Sequence, residues 1–208
     1  RQTDIRHWDA SEGADFASMF DDADLMLQAG WSETPHSSDF LGKTTTGNAT
    51  AEKINGATGN DVLSGLGGDD EIFGGSGWDK LFGGSGGDSL YGGSKDDILT
   101  GGSGADILDG GSGDDTLYGG SGADTLTSGS GEDILYGGSS SDKLYGGSSA
   151  DTLYGGSGKD NLYGGSSSDD LYGGSGKDNL LGGSGSDNII GGSRDDTLTG
   201  GSGGDTLT

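Results

Sequence analysis

The sequence Gly74-Gly75-Ser76-Gly77-Trp78-Asp79-Lys80-Leu81-Phe82 is one copy of a nine-residue phrase that recurs seventeen times between Gly56 and Thr208. The sixth position is Asp in every copy, the eighth is Leu or Ile, and the first is Gly except at Ser128. Such a strict period is typical of repeat proteins, in which each unit buries its apolar face only against its neighbours. The phrase therefore predicts an elongated stack of repeats.

The composition is not what an ordered stack of repeats would lead one to expect. The 208 residues include 50 Gly, one Pro and no Cys, only 27% are hydrophobic, and the formal net charge is −25. Low hydrophobicity with high net charge is the usual signature of a disordered chain. A bound divalent cation resolves the contradiction, because it neutralises carboxylates and stabilises the ordered state that binds it.

The same composition excludes several classes of function. An acidic chain is not expected to bind nucleic acid or anionic membrane surfaces. No apolar run approaches the roughly 18 residues that a transmembrane helix needs, so we expect no membrane insertion. The segments Gly83–Gly87 and Gly200–Gly204 match the nucleophile elbow of hydrolases, but they lie in low-complexity repeats without a strand-turn-helix context. We therefore predict that the protein is not an enzyme.

Residues 1–46 differ in composition from the repeats. The segment Asp9–Gly30 has the apolar periodicity of an amphipathic helix. We interpret residues 1–46 as a helical cap over the first coil of the stack, or alternatively as a docking segment for another domain or subunit. Residues 47–55 are a degenerate first repeat, and the seventeen complete repeats occupy residues 56–208.

One repeat divides into two structural parts. Its first six residues suit a tight turn, because Gly adopts left-handed backbone angles without a steric penalty. Its last three residues alternate as a short strand, with Leu or Ile on one side. Two consecutive repeats then make one coil, and successive coils stack as parallel strands around a thin core. We predict an all-β fold, a parallel β-roll (β-solenoid) with a short N-terminal helical cap.

Stacking at this spacing aligns the sixth-position Asp residues in two columns. Carboxylates about 5 Å apart repel each other strongly unless a cation lies between them. Calcium suits such a site, because it binds six to eight oxygen ligands in flexible geometry, whereas magnesium demands strict octahedral geometry and zinc prefers His or Cys. Nine Asp leave eight gaps and eight Asp leave seven, which predicts about fifteen interior calcium sites. One column holds Asp61, Asp79, Asp97, Asp115, Asp133, Asp151, Asp169, Asp187 and Asp205, and the other holds Asp70, Asp88, Asp106, Asp124, Asp142, Asp160, Asp178 and Asp196.

The phrase Gly-Gly-x-Gly-x-Asp-x-(Leu/Ile)-x resembles the repeats-in-toxin (RTX) nonapeptide over Gly56–Thr208. The resemblance implies a parallel β-roll with calcium between turns, bound by the sixth-position Asp and by turn carbonyls of positions two and four. It also implies export by a type I secretion system that reads an uncleaved C-terminal signal. The implied carbonyl ligands are those of Gly75, Gly77, Gly84, Gly86, Gly102, Gly104, Gly111, Gly113, Gly120, Gly122, Gly156, Gly158, Gly174, Gly176, Gly183 and Gly185.

The fourth position departs from the RTX pattern in five repeats. Lys95, Ser140, Ser149, Ser167 and Arg194 replace Gly there. Non-Gly residues resist left-handed backbone angles, and the Lys and Arg also bring a positive charge near the implied ion. We expect these turns to bind calcium more weakly.

Tyrosines at the ninth position recur in alternate repeats, which predicts a file of rings on each outer face. One file holds Tyr118, Tyr136, Tyr154 and Tyr172, and the other holds Tyr145 and Tyr163. Exposed aromatic files suggest side-by-side association or ligand contact. Alternatively, Tyr simply suits a half-buried strand.

Three functions are compatible with this sequence. The first is a secreted, extracellular or cell-surface rod that folds on external calcium and assembles end to end, or through its Tyr and Thr faces, into fibres or a surface layer. The second is an RTX adhesin whose flat faces bind ice or glycan. The third is the calcium-dependent C-terminal secretion and folding tail of an RTX enzyme or toxin.

Overall fold

The computed structural model describes residues 42–208. The predicted helix Asp9–Gly30 lies outside these residues, so the cap and docking interpretations of residues 1–46 stay predictions. In the described part the chain forms nineteen strands and no helix. Consequently, no described helix is long and apolar enough to cross a membrane.

The strands recur once per repeat along the chain. They are β1 (Thr44–Thr46), β2 (Lys53–Thr58), β3 (Val62–Gly67), β4 (Glu71–Ser76), β5 (Lys80–Ser85), β6 (Ser89–Ser94), β7 (Ile98–Ser103), β8 (Ile107–Ser112), β9 (Thr116–Ser121), β10 (Thr125–Ser130), β11 (Ile134–Ser139), β12 (Lys143–Ser148), β13 (Thr152–Gly158), β14 (Asn161–Ser166), β15 (Asp170–Gly176), β16 (Asn179–Ser184), β17 (Asn188–Ser193), β18 (Thr197–Ser202) and β19 (Thr206–Leu207). Their regular spacing shows that every repeat contributes one strand.

Alternate strands pair in parallel, so the chain winds as a flattened coil. The odd-numbered strands form a ten-stranded sheet in the order β1 to β19, and the even-numbered strands form a nine-stranded sheet. Partners lie two repeats apart, as in the pairing of Leu135 with Leu153. The predicted parallel β-roll, with each repeat stacked on the second one along, is confirmed. Strand β1 pairs with β3, so residues 44–46 already belong to the ladder.

The strands are longer than the three residues that the sequence predicted. Each complete strand begins at position seven and continues at least through positions one to three of the next repeat, as in Glu71–Ser76. Strands β13 and β15 extend to position four, and elsewhere positions four to six form the turn. The left-handed angle of Gly75 (φ 112°) bends the strand without ending it, because Gly75 pairs with Ala57 on one side and Gly93 on the other.

The eighth-position side chains form the core between the two sheets. Every one from Leu63 to Ile189 is 0% exposed, and Ile54 is 6% exposed. Full burial of one Leu or Ile contributes about 1.5–3 kcal/mol to folding. The core is one side chain deep on each sheet, so its stability rises with the number of stacked coils.

Side chains at positions seven and nine cover the outer faces of the sheets. One file of rings in the ten-stranded sheet has centroids 4.8–4.9 Å apart and holds Tyr118, Tyr136, Tyr154 and Tyr172. On the nine-stranded sheet Tyr145 and Tyr163 stack at 4.9 Å. Both predicted files are confirmed, and a further stacked pair, Phe73 and Tyr91, extends the second face.

Candidate calcium sites

The sixth-position Asp residues lie where each turn ends and the next strand begins. The carbonyl of Asp61 accepts a hydrogen bond from the N–H of Lys80 in the adjacent coil, at 2.8 Å. The N–H of Asp61 donates to Oδ1 of Asp79, at 2.7 Å. This second bond recurs in fifteen stacked pairs, up to Asp187 and Asp205, at 2.7–3.1 Å. Each carboxylate therefore ties its coil to the neighbouring coil through one oxygen.

The other oxygen of these carboxylates has no partner. In the described residues, Oδ2 is buried without a hydrogen bond in all fifteen Asp residues from Asp61 to Asp187. These residues are only 0–2% exposed. A buried carboxylate without full compensation is costly, and an orphaned buried polar atom indicates a missing ion or water. There is one such oxygen for each gap between stacked Asp residues.

The first-position glycine forms a cradle beside this orphaned oxygen. A Cβ placed on Gly74 would lie 2.5 Å from Oδ2 of Asp79 and 2.7 Å from the carbonyl oxygen of Gly92. Two oxygens of adjacent coils thus converge on the space that Gly leaves open because it has no side chain. The sequence reasoning missed the first-position carbonyl as a candidate ligand, although the near-constant Gly at that position was the signal.

Ser128 is the single exception at the first position. Its hydroxyl donates to the carbonyl oxygen of Gly146, at 2.6 Å. The hydroxyl also lies within reach of Asp133, where it partly offsets the effect of burial on the pKa of that carboxyl. In this repeat a protein hydroxyl therefore occupies part of the cradle that is open elsewhere.

The carbonyls of positions two and four point along the stack. A Cβ on Gly93 would lie 2.2 Å from the carbonyl oxygen of Gly75, and one on Gly104 would lie 1.7 Å from that of Gly86. These carbonyls therefore face the space between coils, as ligands of an intercoil ion would. Of the sixteen glycines implied as ligands, Gly176 alone does not have a left-handed angle.

Non-Gly residues at the fourth position adopt the same backbone as Gly. Lys95, Ser140, Ser149, Ser167 and Arg194 have φ between 80° and 93°. Such angles cost on the order of 1–3 kcal/mol for a residue with a Cβ. The stacked ladder imposes the turn geometry on them, and their carbonyls keep the position that the neighbouring coil requires.

Burial makes the columns resist ionisation. At interior positions such as Asp97, Asp142 and Asp151, burial is the largest effect and raises the pKa of the carboxyl, and neighbouring carboxylates raise it further, while the N–H of the Asp in the preceding coil opposes the shift. A cation between coils would reverse this shift by favouring the charged form. The pKa rises to about 7 at Asp97, Asp115, Asp142 and Asp151, and to about 6 at Asp106, Asp160 and Asp169.

A comparison with protein families identifies the repeats. Residues 46–81, 55–90, 82–117, 109–144, 118–153, 145–180 and 181–208 match the RTX calcium-binding nonapeptide repeat (4 copies). The chain belongs to this RTX family. A comparison with curated proteins found no match. RTX nonapeptide repeats bind calcium, and the matched region includes all seventeen Asp residues singled out from the sequence.

The residues of this RTX roll fit calcium as a bound ion. Within residues 42–208, no three carboxylate or imidazole side chains converge on one point, so an ion between coils would have to draw on backbone carbonyls as well as Asp oxygens. The orphaned Oδ2 atoms lie near first-position carbonyls, and the carbonyls of positions two and four face the adjacent coil, so the available donors are all hard oxygens. Calcium prefers this kind of set, and its tolerance of irregular geometry suits ligands from two coils.

Proposed function

We propose that this RTX β-roll is a secreted structural rod whose folding depends on extracellular calcium. The observation that carries the proposal is the two rows of buried Asp oxygens without partners, fifteen in all. In low calcium, ordering the coils would bury these carboxylates uncompensated, so the chain stays unfolded and can be exported. External calcium then drives folding by mass action, since each site stabilises the folded state by about 2.7 kcal/mol at a hundred times its dissociation constant.

The proposed ions lie in the gaps between stacked Asp residues, about fifteen in all by the count of gaps. Each ion takes an Asp Oδ2 and carbonyl oxygens of the Gly-rich segments on both sides. The ligands are the seventeen sixth-position Asp residues from Asp61 to Asp205, together with the glycine carbonyls implied by the RTX resemblance and those of the first position. The role of this site is folding and rigidity, not catalysis.

The Tyr files bear on the rival adhesin function. Rings in the file of the ten-stranded sheet are nearly parallel, at 3–10° to one another. Because each interior ring is covered on both faces by its neighbours, it offers an edge and a hydroxyl rather than a flat face on which a sugar stacks. This geometry favours a structural role over glycan stacking.

Calcium titration followed by far-UV circular dichroism tests the proposal, with magnesium as the control ion. We expect a cooperative coil-to-β transition with calcium only. Asp115→Asn should raise the calcium midpoint, because it removes the charge at a buried site. Asp114→Asn is the matched control, because this neighbouring carboxylate is exposed and Asn keeps the acceptor for the N–H of Glu132, at 2.9 Å. Complete β-structure in chelator at neutral pH would overturn the proposal.

A further inference from the structure

The two outer faces of the roll differ in charge. On the ten-stranded sheet the outward side chains at positions seven and nine include no charged residue across β7, β9, β11 and β13. The nine-stranded sheet carries Asp109 and Lys143 in the corresponding central strands. An uncharged face of this extent is unusual on a chain with a net charge of −25 and marks a surface for association.

The uncharged face has a ridge along one half. The ridge consists of the side chains at positions seven and nine, among them Ile98, Tyr118 and Ile134, which are 38–41% exposed. The Tyr rings of the ridge already stack on one another, so they lose little conformational freedom on binding. Ordered aromatic and apolar side chains of this kind are effective interface anchors.

The other half of the same face is a floor without large side chains. It consists of positions one to three, which read Gly-Gly-Ser in most strands. A Cβ on Gly138 would lie 2.2 Å from the carbonyl oxygen of Gly120, so a side chain at this position would clash with the adjacent coil. The hydroxyl of Ser139 lies close to that same carbonyl, at 3.4 Å, so it lies along the sheet. The ridge therefore stands beside a flat strip of equal length.

We propose that two calcium-loaded copies of this roll pair face to face through the ten-stranded sheet, with the ridge of each copy seated on the floor of the other. A two-fold axis parallel to the stacking direction produces this arrangement, because it exchanges the two halves of each strand while keeping the coils level. Both copies have the same coil spacing, so every ridge residue meets a floor position along the entire sheet. The pairing requires the calcium-folded roll of the proposed function but not its secretion.

The size of the face suits a stable dimer. The eight complete strands of this sheet, at about 4.8 Å each and six residues of about 3.3 Å long, give a face of about 38 by 20 Å, or about 760 Å² per copy. The four uncharged strands form its centre, and Lys80 and Asp170 lie in the strands that flank them. Stable interfaces typically bury about 800 Å² per partner. Calcium also removes an obstacle, because bound ions offset the negative charge that would otherwise keep two copies apart.

Leu66 determines which coil of one copy lies opposite which coil of the other. It is the one non-Gly residue at position two of the ten-stranded sheet and is 53% exposed. In the level two-fold arrangement it lies opposite the segment Val62–Ser64 of the second copy. Val62 is 40% exposed, and Ser64 is the smallest ninth-position residue of this sheet. A shift by one coil or more would instead set Leu66 against a bulkier ridge position or beyond the ladder.

Sedimentation analysis of the calcium-saturated full chain, from micromolar to submillimolar concentration, tests the pairing. We expect a dimer for the native chain and a dissociation constant at least about tenfold higher for Tyr136→Lys, which places a charge on the ridge. Tyr145→Lys makes the same change at position nine of the opposite face and should remain dimeric. Ser139→Trp should also disrupt the dimer by filling the floor, whereas Ser148→Trp on the other sheet should not.

Circular dichroism of the same samples separates this proposal from the folding proposal. Calcium-dependent β-structure in a native chain that stays monomeric would overturn the pairing and leave the folding switch intact. Equal weakening by variants on both faces would also overturn it.

Engineered thiols test the two-fold axis, since the chain contains no Cys. Mixed Leu66→Cys and Val62→Cys chains should form predominantly the mixed disulfide on mild oxidation, because across the two-fold axis each of these positions faces the other rather than its own equivalent. A predominance of either homodisulfide would overturn the proposed arrangement.

Discussion

Columns of Leu and columns of Asp both run along the roll, with one side chain per coil. They differ in whether every buried atom has a partner. The Leu column is 0% exposed over its interior, and each side chain packs against its neighbours without any external component. The Asp columns are almost as deeply buried, yet each interior carboxylate has one oxygen without a partner. Apolar packing thus defines the shape of the roll, while the carboxylates make that shape conditional on a cation.

Removal of calcium should have the largest effect on the stability of the roll, because it leaves the carboxylates of both Asp columns uncompensated at once. We expect chelation at neutral pH to unfold the roll, so that amide protons exchange rapidly in both sheets despite an unchanged Leu column. Hydrogen exchange measured with calcium, with magnesium and with chelator checks this prediction. Persistent protection in chelator would mean that the Leu column alone is sufficient.

Acidification should partly replace calcium. Burial raises the pKa of Asp97, Asp115, Asp142 and Asp151 from 3.8 to about 7 in the folded chain. A group whose pKa is raised on folding favours the folded state at low pH, so this stabilisation is complete below about pH 4 and is lost as the pH rises through about 7. In chelator, β-structure measured by circular dichroism should therefore increase on acidification.

The same protons should compete with calcium. Calorimetric titration should show weaker calcium binding at pH 6 than at pH 8, with protons released on binding. A β-content that increases with pH in chelator would contradict the assignment of these buried carboxyls.

Loss of one core side chain should have a smaller, calcium-independent effect. Leu135→Ala should cost about 2–5 kcal/mol in the free energy of unfolding, because the site is fully buried and a cavity remains between stacked Leu neighbours. Denaturant unfolding at saturating calcium measures this loss. Ile107→Ala, exposed on the outer face of the nine-stranded sheet, is the control and should cost much less. If calcium beyond saturation restored the stability of Leu135→Ala, the contribution of the Leu column would not be independent of calcium, which would contradict the prediction.

The smallest effect should come from the strained turns. Lys95 has a φ of 83°, and Lys95→Gly should stabilise the roll by about 1 kcal/mol and lower the calcium midpoint. The matched change Gly104→Ala should act in the opposite direction, because its Cβ would lie 1.7 Å from the carbonyl oxygen of Gly86. Calcium titrations of both variants check the prediction. A destabilised Lys95→Gly would show that its side chain makes a favourable contribution that outweighs the strain.

Much of the fold was predictable from particular residues. The constant Asp and Leu positions predicted the two columns and the pairing of alternate repeats, and the spacing of Tyr118 and Tyr136 predicted their stacking. The length of the strands was not predictable in this way. Gly-Gly-Ser reads locally as a turn, but the pairing of Gly75 with Gly93 keeps it in the sheet.

The sequence by itself determined the period, the inward and outward side chains and the chemical type of the ion. These properties follow from residue identity at a fixed phase, which is local information. Only the tertiary structure decided that Oδ1 of Asp79 binds the preceding coil while Oδ2 stays free beside Gly74, and that the Gly-Gly-Ser half of each strand forms a flat floor. Both depend on how one coil lies on the next, and contacts between coils are set by the geometry of stacking rather than by the residues of one repeat.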